Sequence, residues 1–265
     1  MAMDQHTITR GDIQGAVIQY IKWHQELGLE ELVLSTTRLS PDPESYSGKD
    51  HAGPVEKSAN SERIAQTLEE HYDQICRCTK CPLHKTRTKF VYGSGNPNAD
   101  LVFIGEAPGA DEDKQGEPFV GAAGQLFDKI LKAIDLTREE VYLCNIIKCR
   151  PPKNRDPRHQ EIEICKPYLH KQLELIRPKL ICALGRIAGQ TLVKKTLPLR
   201  QLRNRLYDYQ KDDQKSQGAN ILITYHPAAL LYTPNSSRTK RYKREVWEDM
   251  KRLRQLYLEV RTEKK

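Results

Sequence analysis

Four short apolar runs punctuate the chain: LVFIG (101–105), VYLCNIIKC (141–149), KLICALG (179–185) and ILITYHP (221–227). Each is too short for a buried helix and nearly continuous in hydrophobicity, which predicts strands covered on both faces. Between them the period changes. Residues 121–136 bring Leu126, Ile130, Leu131 and Ile134 onto one helical face, and a stretch opened by Asp156 does the same with Ile162, Cys165, Leu169 and Leu173. A short helix follows KLICALG, residues 208–219 read as a polar bridge, and a basic helix runs from about Ser237 to Val260. Strands alternating with helices predict right-handed crossovers and a mainly parallel sheet, an α/β three-layer sandwich. Ligands of such sheets sit beyond the carboxyl ends of the strands. The loops GEAPGADED, N-x-x-K-C-R-P-P and HPAALL, which follow three of the runs, are therefore expected to meet at one pocket.

The first 62 residues differ. Residues 11–32 space Ile13, Val17, Tyr20, Ile21, Trp23 and Leu27 as one face of a helix with Gly28 as a stop, giving an N-terminal helical extension over 1–35. It packs on the main domain in this reading; a helix that docks a partner is the alternative. Residues 36–62 are rich in Ser, Pro, Asp and Gly and read as a disordered linker, leaving 63–265 as the domain proper.

Composition narrows the class. Within 265 residues no apolar run approaches the roughly 18 that a membrane helix needs, so no membrane partner is expected. The start, MAMDQHTITRGD, lacks the pattern of a secretory leader, which predicts a cytoplasmic protein. The formal charge of +8 is unevenly spread. Residues 1–75 hold 6 Lys+Arg against 13 Asp+Glu, so the remainder holds 37 against 22 and is the candidate to meet a polyanion.

Seven cysteines in such a chain argue for a metal or cofactor before disulfides. Cys78-x2-Cys81 holds two thiolates on one tight turn, and Cys149 and Cys165 complete a tetrathiolate set that suits zinc or a [4Fe-4S] cluster equally. Cys144 and Cys182 fall inside apolar runs and read as small buried hydrophobes; Cys76 is set aside. Between the two downstream ligands, Arg150, Lys153, Arg155 and Arg158 lie on a segment stiffened by three prolines, placed to follow a phosphate backbone.

Together, Cys78-x2-Cys81, GEAPGADEDKQGEPFVGAAGQLF, CNIIKCRPPKNRDP and HPAALL resemble the family 4 uracil-DNA glycosylases, the iron-sulfur branch of their superfamily. The resemblance runs from residue 78 to roughly residue 257 in the family's order. It implies a sheet of four parallel strands and a structural [4Fe-4S] cluster on Cys78, Cys81, Cys149 and Cys165. It also implies a monofunctional hydrolase acting as a monomer on uracil-containing DNA at the nucleoid, releasing uracil and leaving an abasic site.

Carried over residue by residue, the resemblance makes Phe119 the floor under a flipped base, Asn145 the carboxamide that reads uracil N3–H and O4, and His226 the donor to O2 as negative charge grows there. Gly105, Ala107 and Gly109 line the loop beside the base. Where the best-known branch has a water-orienting Asp, this chain has Ala107, which leaves Glu106, Glu112 and loop amides as candidates. Where that branch excludes thymine with a Tyr, this chain has Gly109, and Glu112 is expected to fill the vacated space. Leu231 or Tyr232 suits a wedge into the emptied stack, and Arg238, Lys240 and Arg241 suit phosphates at the start of the last helix. Two rivals stay open: a non-catalytic iron-sulfur damage sensor, suggested by Ala107, and a zinc-stabilised nucleotide-binding protein.

Overall fold

The computed structural model describes residues 59–211, 214–231 and 236–262. The helix expected over 11–32 and Tyr232 lie outside the described residues. The first described element is α1 (Ala59–Ile75), whose start falls within the expected linker. It is followed by β1 (Ser94–Gly95), β2 (Leu101–Gly105), α2 (Ala110–Gln115), α3 (Ala122–Ala133), β3 (Tyr142–Asn145) and α4 (His159–Ile176). The chain continues through β4 (Leu180–Leu184), α5 (Arg186–Val193), α6 (Leu199–Leu202), β5 (Leu206–Lys211), β6 (Gln214–Thr224), α7 (Ala228–Leu231) and α8 (Ser237–Thr262).

The strands form one sheet in the order β1-β3-β2-β4-β6-β5. Its inner four, β3, β2, β4 and β6, are parallel as expected. Every residue of β2, β3 and β4 is buried, the pattern of strands covered on both sides. Alternate residues serve two cores. Val102, Ile104, Cys144, Ile181, Ala183 and Ile223 face one core, which includes Leu169 and Leu173 of α4. Leu101, Phe103, Leu143, Cys182 and Leu222 face the other, with Phe127 of α3 and Trp247 and Met250 of α8. Cys144 and Cys182 are thus buried hydrophobes, one per core.

The sheet has two more strands than four. Antiparallel β1 and β5 cap its edges. Residues 208–219, expected as a polar bridge, belong mostly to β5 and β6. The sequence hides this because edge strands are often polar, a feature that discourages pairing with other chains. The switch in strand order at β2/β4, with helices arriving on both faces, opens a crevice at the carboxyl ends of the inner strands.

Candidate active site

Gly105 ends β2 and Asn145 ends β3, and the parallel register sets them directly side by side. The pairing continues past the strand ends: Ile146 N–H donates to the Gly105 carbonyl (2.9 Å) and Ile147 N–H to the Glu106 carbonyl (3.2 Å). Two of the three expected loops therefore leave the sheet together. The Asn145 side chain is only 3% exposed. A β-carbon on Gly105 would stand 2.4 Å from Asn145 Oδ1 and 2.9 Å from Phe119 Cζ, so only glycine lets the carboxamide and the ring close over this point.

Phe119 is held there against its own preference. Its φ of 57° is rare for a bulky side chain, a local strain of the kind that surrounding contacts must over-determine. Arg138 donates to the carbonyls of both Pro118 and Phe119 and is itself paired with Asp128 at 2.5 Å. The Phe119 carbonyl also lies against α3, where a β-carbon on Gly124 would come within 1.9 Å of its oxygen. Neither Arg138 nor Gly124 is marked by residue chemistry, because the sequence carries no sign of which carbonyl a distant guanidinium will grip.

The third loop supplies His226. Its ring lies nearly parallel to that of Phe119, with centroids 6.0 Å apart and planes inclined by 25°. Ala228 N–H donates to its Nδ1 (3.1 Å), which assigns the proton of the neutral ring to Nε2. Burial pushes its pKa down to about 4, opposed by the nearby Glu112 carboxylate. His226 is therefore a neutral hydrogen-bond donor at physiological pH.

The two glutamates of the loop differ. Glu112 Oε2 accepts from Gly109 N–H (3.1 Å), and its Oε1 accepts from Val120 N–H (3.0 Å) and Gly121 N–H (2.9 Å). These bonds tie the start of α2 to the Phe119 segment. A β-carbon on Gly109 would meet Glu112 Oε2 at 2.6 Å, so this carboxylate occupies the space beside the glycine. Next to it, Asp113 is buried and accepts from Thr88 N–H (2.9 Å), so the ADED run is not a solvated face. Glu106 has its pKa raised to about 7 by burial, reinforced by Asp156 and opposed by Arg186. Ala107 lies between, half-buried against the first core.

The four expected sulfur ligands come from three places. Cys78 and Cys81 sit where the chain leaves α1, the Cys78 N–H bonded to the Ile75 carbonyl (2.9 Å). Cys149 follows β3, and Cys165 lies on the buried face of α4. They are within electrostatic reach of one another: Cys149 senses Cys81 and Cys78, and Cys165 senses Cys149 and Cys81. Burial raises the pKa of Cys149 and pushes that of Cys165 up to about 12, against which Arg87 and Lys148 respectively favour the thiolates. Three of these sulfurs already accept hydrogen bonds. Arg87 donates to Cys149 Sγ (3.1 Å), Tyr168 O–H to Cys78 Sγ (3.3 Å) and Lys148 N–H to Cys165 Sγ (3.3 Å). Among the described residues, no three His, Cys, Asp or Glu side chains are grouped as ligands of one metal ion.

Residues 92–251 match the model of the uracil DNA glycosylase superfamily. A type-4 uracil-DNA glycosylase of Archaeoglobus fulgidus is 46% identical over 173 residues, spanning 64% of this chain and 85% of its own length. The chain belongs to this superfamily, in its type-4 branch. The type-4 enzyme of Sulfurisphaera tokodaii is 40% identical over 195 residues (72% of this chain, 84% of the relative). That of Thermotoga maritima is 39% identical over 181 residues (68% and 89%).

Around this glycosylase pocket the cations divide. Lys153 and Arg158 are exposed on the loop between Cys149 and Cys165, while Arg150 is half-buried and donates to Asn154 Oδ1 (2.8 Å). Arg155, expected on a phosphate, is instead forked onto the buried Glu161 through bonds of 2.9 and 2.7 Å, so it braces the loop. Arg238, Lys240 and Arg241 are exposed on the first turns of α8, and Leu231, at the end of α7, is 42% exposed. Among the described residues no helix is long and apolar enough to cross a membrane.

Proposed function

We propose that the chain is a hydrolase of DNA repair that excises uracil by cleaving its N-glycosidic bond, leaving an abasic site. The observation that carries this reading is the convergence of Asn145 and Phe119 about Gly105, with His226 stacked on Phe119, from three loops scattered over more than a hundred residues.

A base in a duplex is shielded, so the nucleotide must be flipped out, with loss of stacking. Leu231, exposed beside the histidine, suits the emptied position in the stack, and Phe119 offers the ring on which the flipped base lies. Arg150, Lys153, Arg158, Arg238, Lys240 and Arg241 suit the phosphates on either side. Asn145 accepts from uracil N3–H and donates to O4. As the bond breaks, positive charge develops on the sugar and negative charge on the base, and His226 Nε2–H meets that negative charge at O2. Glu112, held by three amides beside Gly109, supports the reading of a fixed gate at the mouth of the slot. Three main-chain N–H groups already occupy its two oxygens, which leaves it little room to hold a water.

Glu106 suits the attacking water better. With a pKa of about 7 it is half-ionised at neutrality and more so above, and a carboxylate that orients water acts in the ionised form. Single-turnover excision is therefore expected to rise with pH through an inflection near 7, and Glu106→Gln to abolish the inflection. A parental profile flat from pH 6 to 8 would assign the water to main-chain groups instead.

Cys78, Cys81, Cys149 and Cys165 would hold a [4Fe-4S] cluster. The hydrogen bonds from Arg87, Tyr168 and Lys148 suit thiolates that must share negative charge. When bound, such a cluster supplies no step of hydrolysis; it anchors the cationic loop after β3. Cys149→Ser is expected to lose most of its iron and the protection of residues 150–158 from proteolysis. Full iron and sulfide content in that variant would remove Cys149 from the ligand set.

The activity is tested by incubating the protein with single-stranded and duplex oligonucleotides bearing one uracil, then cleaving abasic sites with alkali. Strand scission at the uracil alone is expected. Binding without scission would turn the reading into that of a damage sensor.

A further inference from the structure

Lys148 is fully buried, and nothing in the excision chemistry uses it. Its ammonium donates to the backbone carbonyl of Asn145 (2.8 Å), its own N–H donates to Cys165 Sγ (3.3 Å), and its carbonyl accepts from Val91 N–H (2.9 Å). The residue that follows it is Cys149. Five consecutive positions thus join the carboxamide of the base slot to two of the four sulfurs.

An ammonium removed from water is costly unless negative charge stands near it. Burial works against the charge of Lys148, and the Cys144, Cys165 and Cys149 sulfurs oppose that effect. Of these, Cys165 and Cys149 belong to the proposed ligand set, and the main-chain N–H of Lys148 donates directly to Cys165 Sγ. An iron-sulfur cluster on four thiolates carries net negative charge and would supply the counter-charge.

We propose that Lys148 is a positioning residue: as internal counter-ion of the iron-sulfur centre, it fixes the main chain of Asn145 so that the carboxamide keeps its aim into the base slot. This rests on the cluster reading above. It makes the inorganic anchor matter to base recognition, through a single side chain, although the cluster takes no part in hydrolysis. Arg87 also donates to a cluster sulfur, but its other bonds go to the carbonyls of Cys78 and Cys76, at 2.8 and 3.1 Å. Lys148 bonds to both sites, through its ammonium to Asn145 and through its main-chain N–H to Cys165 Sγ.

The test compares holoprotein preparations of the parent, K148M and K148R for iron per chain, midpoint of cluster reduction and single-turnover uracil excision. A parent without iron overturns the cluster reading itself, before any variant is consulted. In an iron-loaded parent, K148M is expected to keep its iron, to be reduced at a more negative midpoint because a nearby cation is gone, and to excise roughly 10- to 100-fold more slowly, the usual scale for losing an outer-sphere partner. An iron-loaded K148M that excises within about twofold of the parent, a change smaller than any outer-sphere effect of that scale, or that keeps the parental midpoint, overturns the proposal. Should K148M fail to accumulate as folded protein, K148R decides. It keeps the charge but crowds the carbonyl, so a parental midpoint with slowed excision is expected, and unchanged excision overturns the coupling.

Discussion

His226→Ala is expected to slow uracil release by roughly 10²- to 10³-fold, the usual loss when one preorganised donor to a developing anion is removed. The ring is positioned twice, stacked on Phe119 and bonded at Nδ1 by Ala228 N–H, which leaves Nε2–H as the donor for the proposed base slot. It needs no protonation before it acts, since burial holds its pKa near 4. The same depression has a stability consequence of definite sign. Below about pH 6.5 the unfolded chain takes up this proton before the folded one does, so acidification from 6.5 to 4 costs the fold up to ~3 kcal/mol, and nothing is lost above that window. H226A is therefore expected to be less acid-sensitive than the parent between pH 6.5 and 4, in urea midpoints measured across the range. An H226A protein that excises at the parental rate, or whose acid sensitivity matches the parent's, would remove the histidine from this role.

The two halves of the site differ in how far the chain announces them. The parallel core is legible because β2, β3 and β4 are buried on both faces and consequently apolar throughout. The end of the sheet at β5 is not: that strand and the start of β6 carry a mostly polar run over 208–219, in which no apolar alternation shows. Gly105, Asn145 and His226 sit at strand ends, and the rule that ligands gather there brings them together before any coordinates do. What surrounds them was hidden. Arg138 and Gly124 maintain the strained Phe119, and Arg155 turns inward to Glu161, because a charged residue's partner is set by the path of a distant segment. Lys148 was hidden for a further reason. Read along the sequence it is one more cation in a basic stretch, and only the closing of β3 against α4 shows that it has no solvent.

Asn145→Ala is expected to lower excision on the order of 10²-fold, with iron content unchanged, because the negative charge of the leaving base spreads onto O4 as well as O2 and O4 loses the donor aimed at it. The carboxamide is buried, so truncation also leaves a void that water can enter, and N3–H of the flipped base loses its acceptor. Uracil and cytosine differ at this edge by the exchange of a donor for an acceptor, and a freely rotating amide would serve both. Gly105 and Phe119 confine the amide from two sides, and Lys148 holds the main-chain carbonyl of the same residue at 2.8 Å, so the carboxamide is presented from a fixed backbone. Discrimination should therefore fall with the rate. Competition assays with free uracil and free cytosine are expected to show that the parent is inhibited by uracil alone, and that N145A loses this inhibition along with its activity. A variant that excised slowly yet kept full inhibition by uracil would locate base recognition elsewhere in the slot and leave Asn145 only a part in bond breaking.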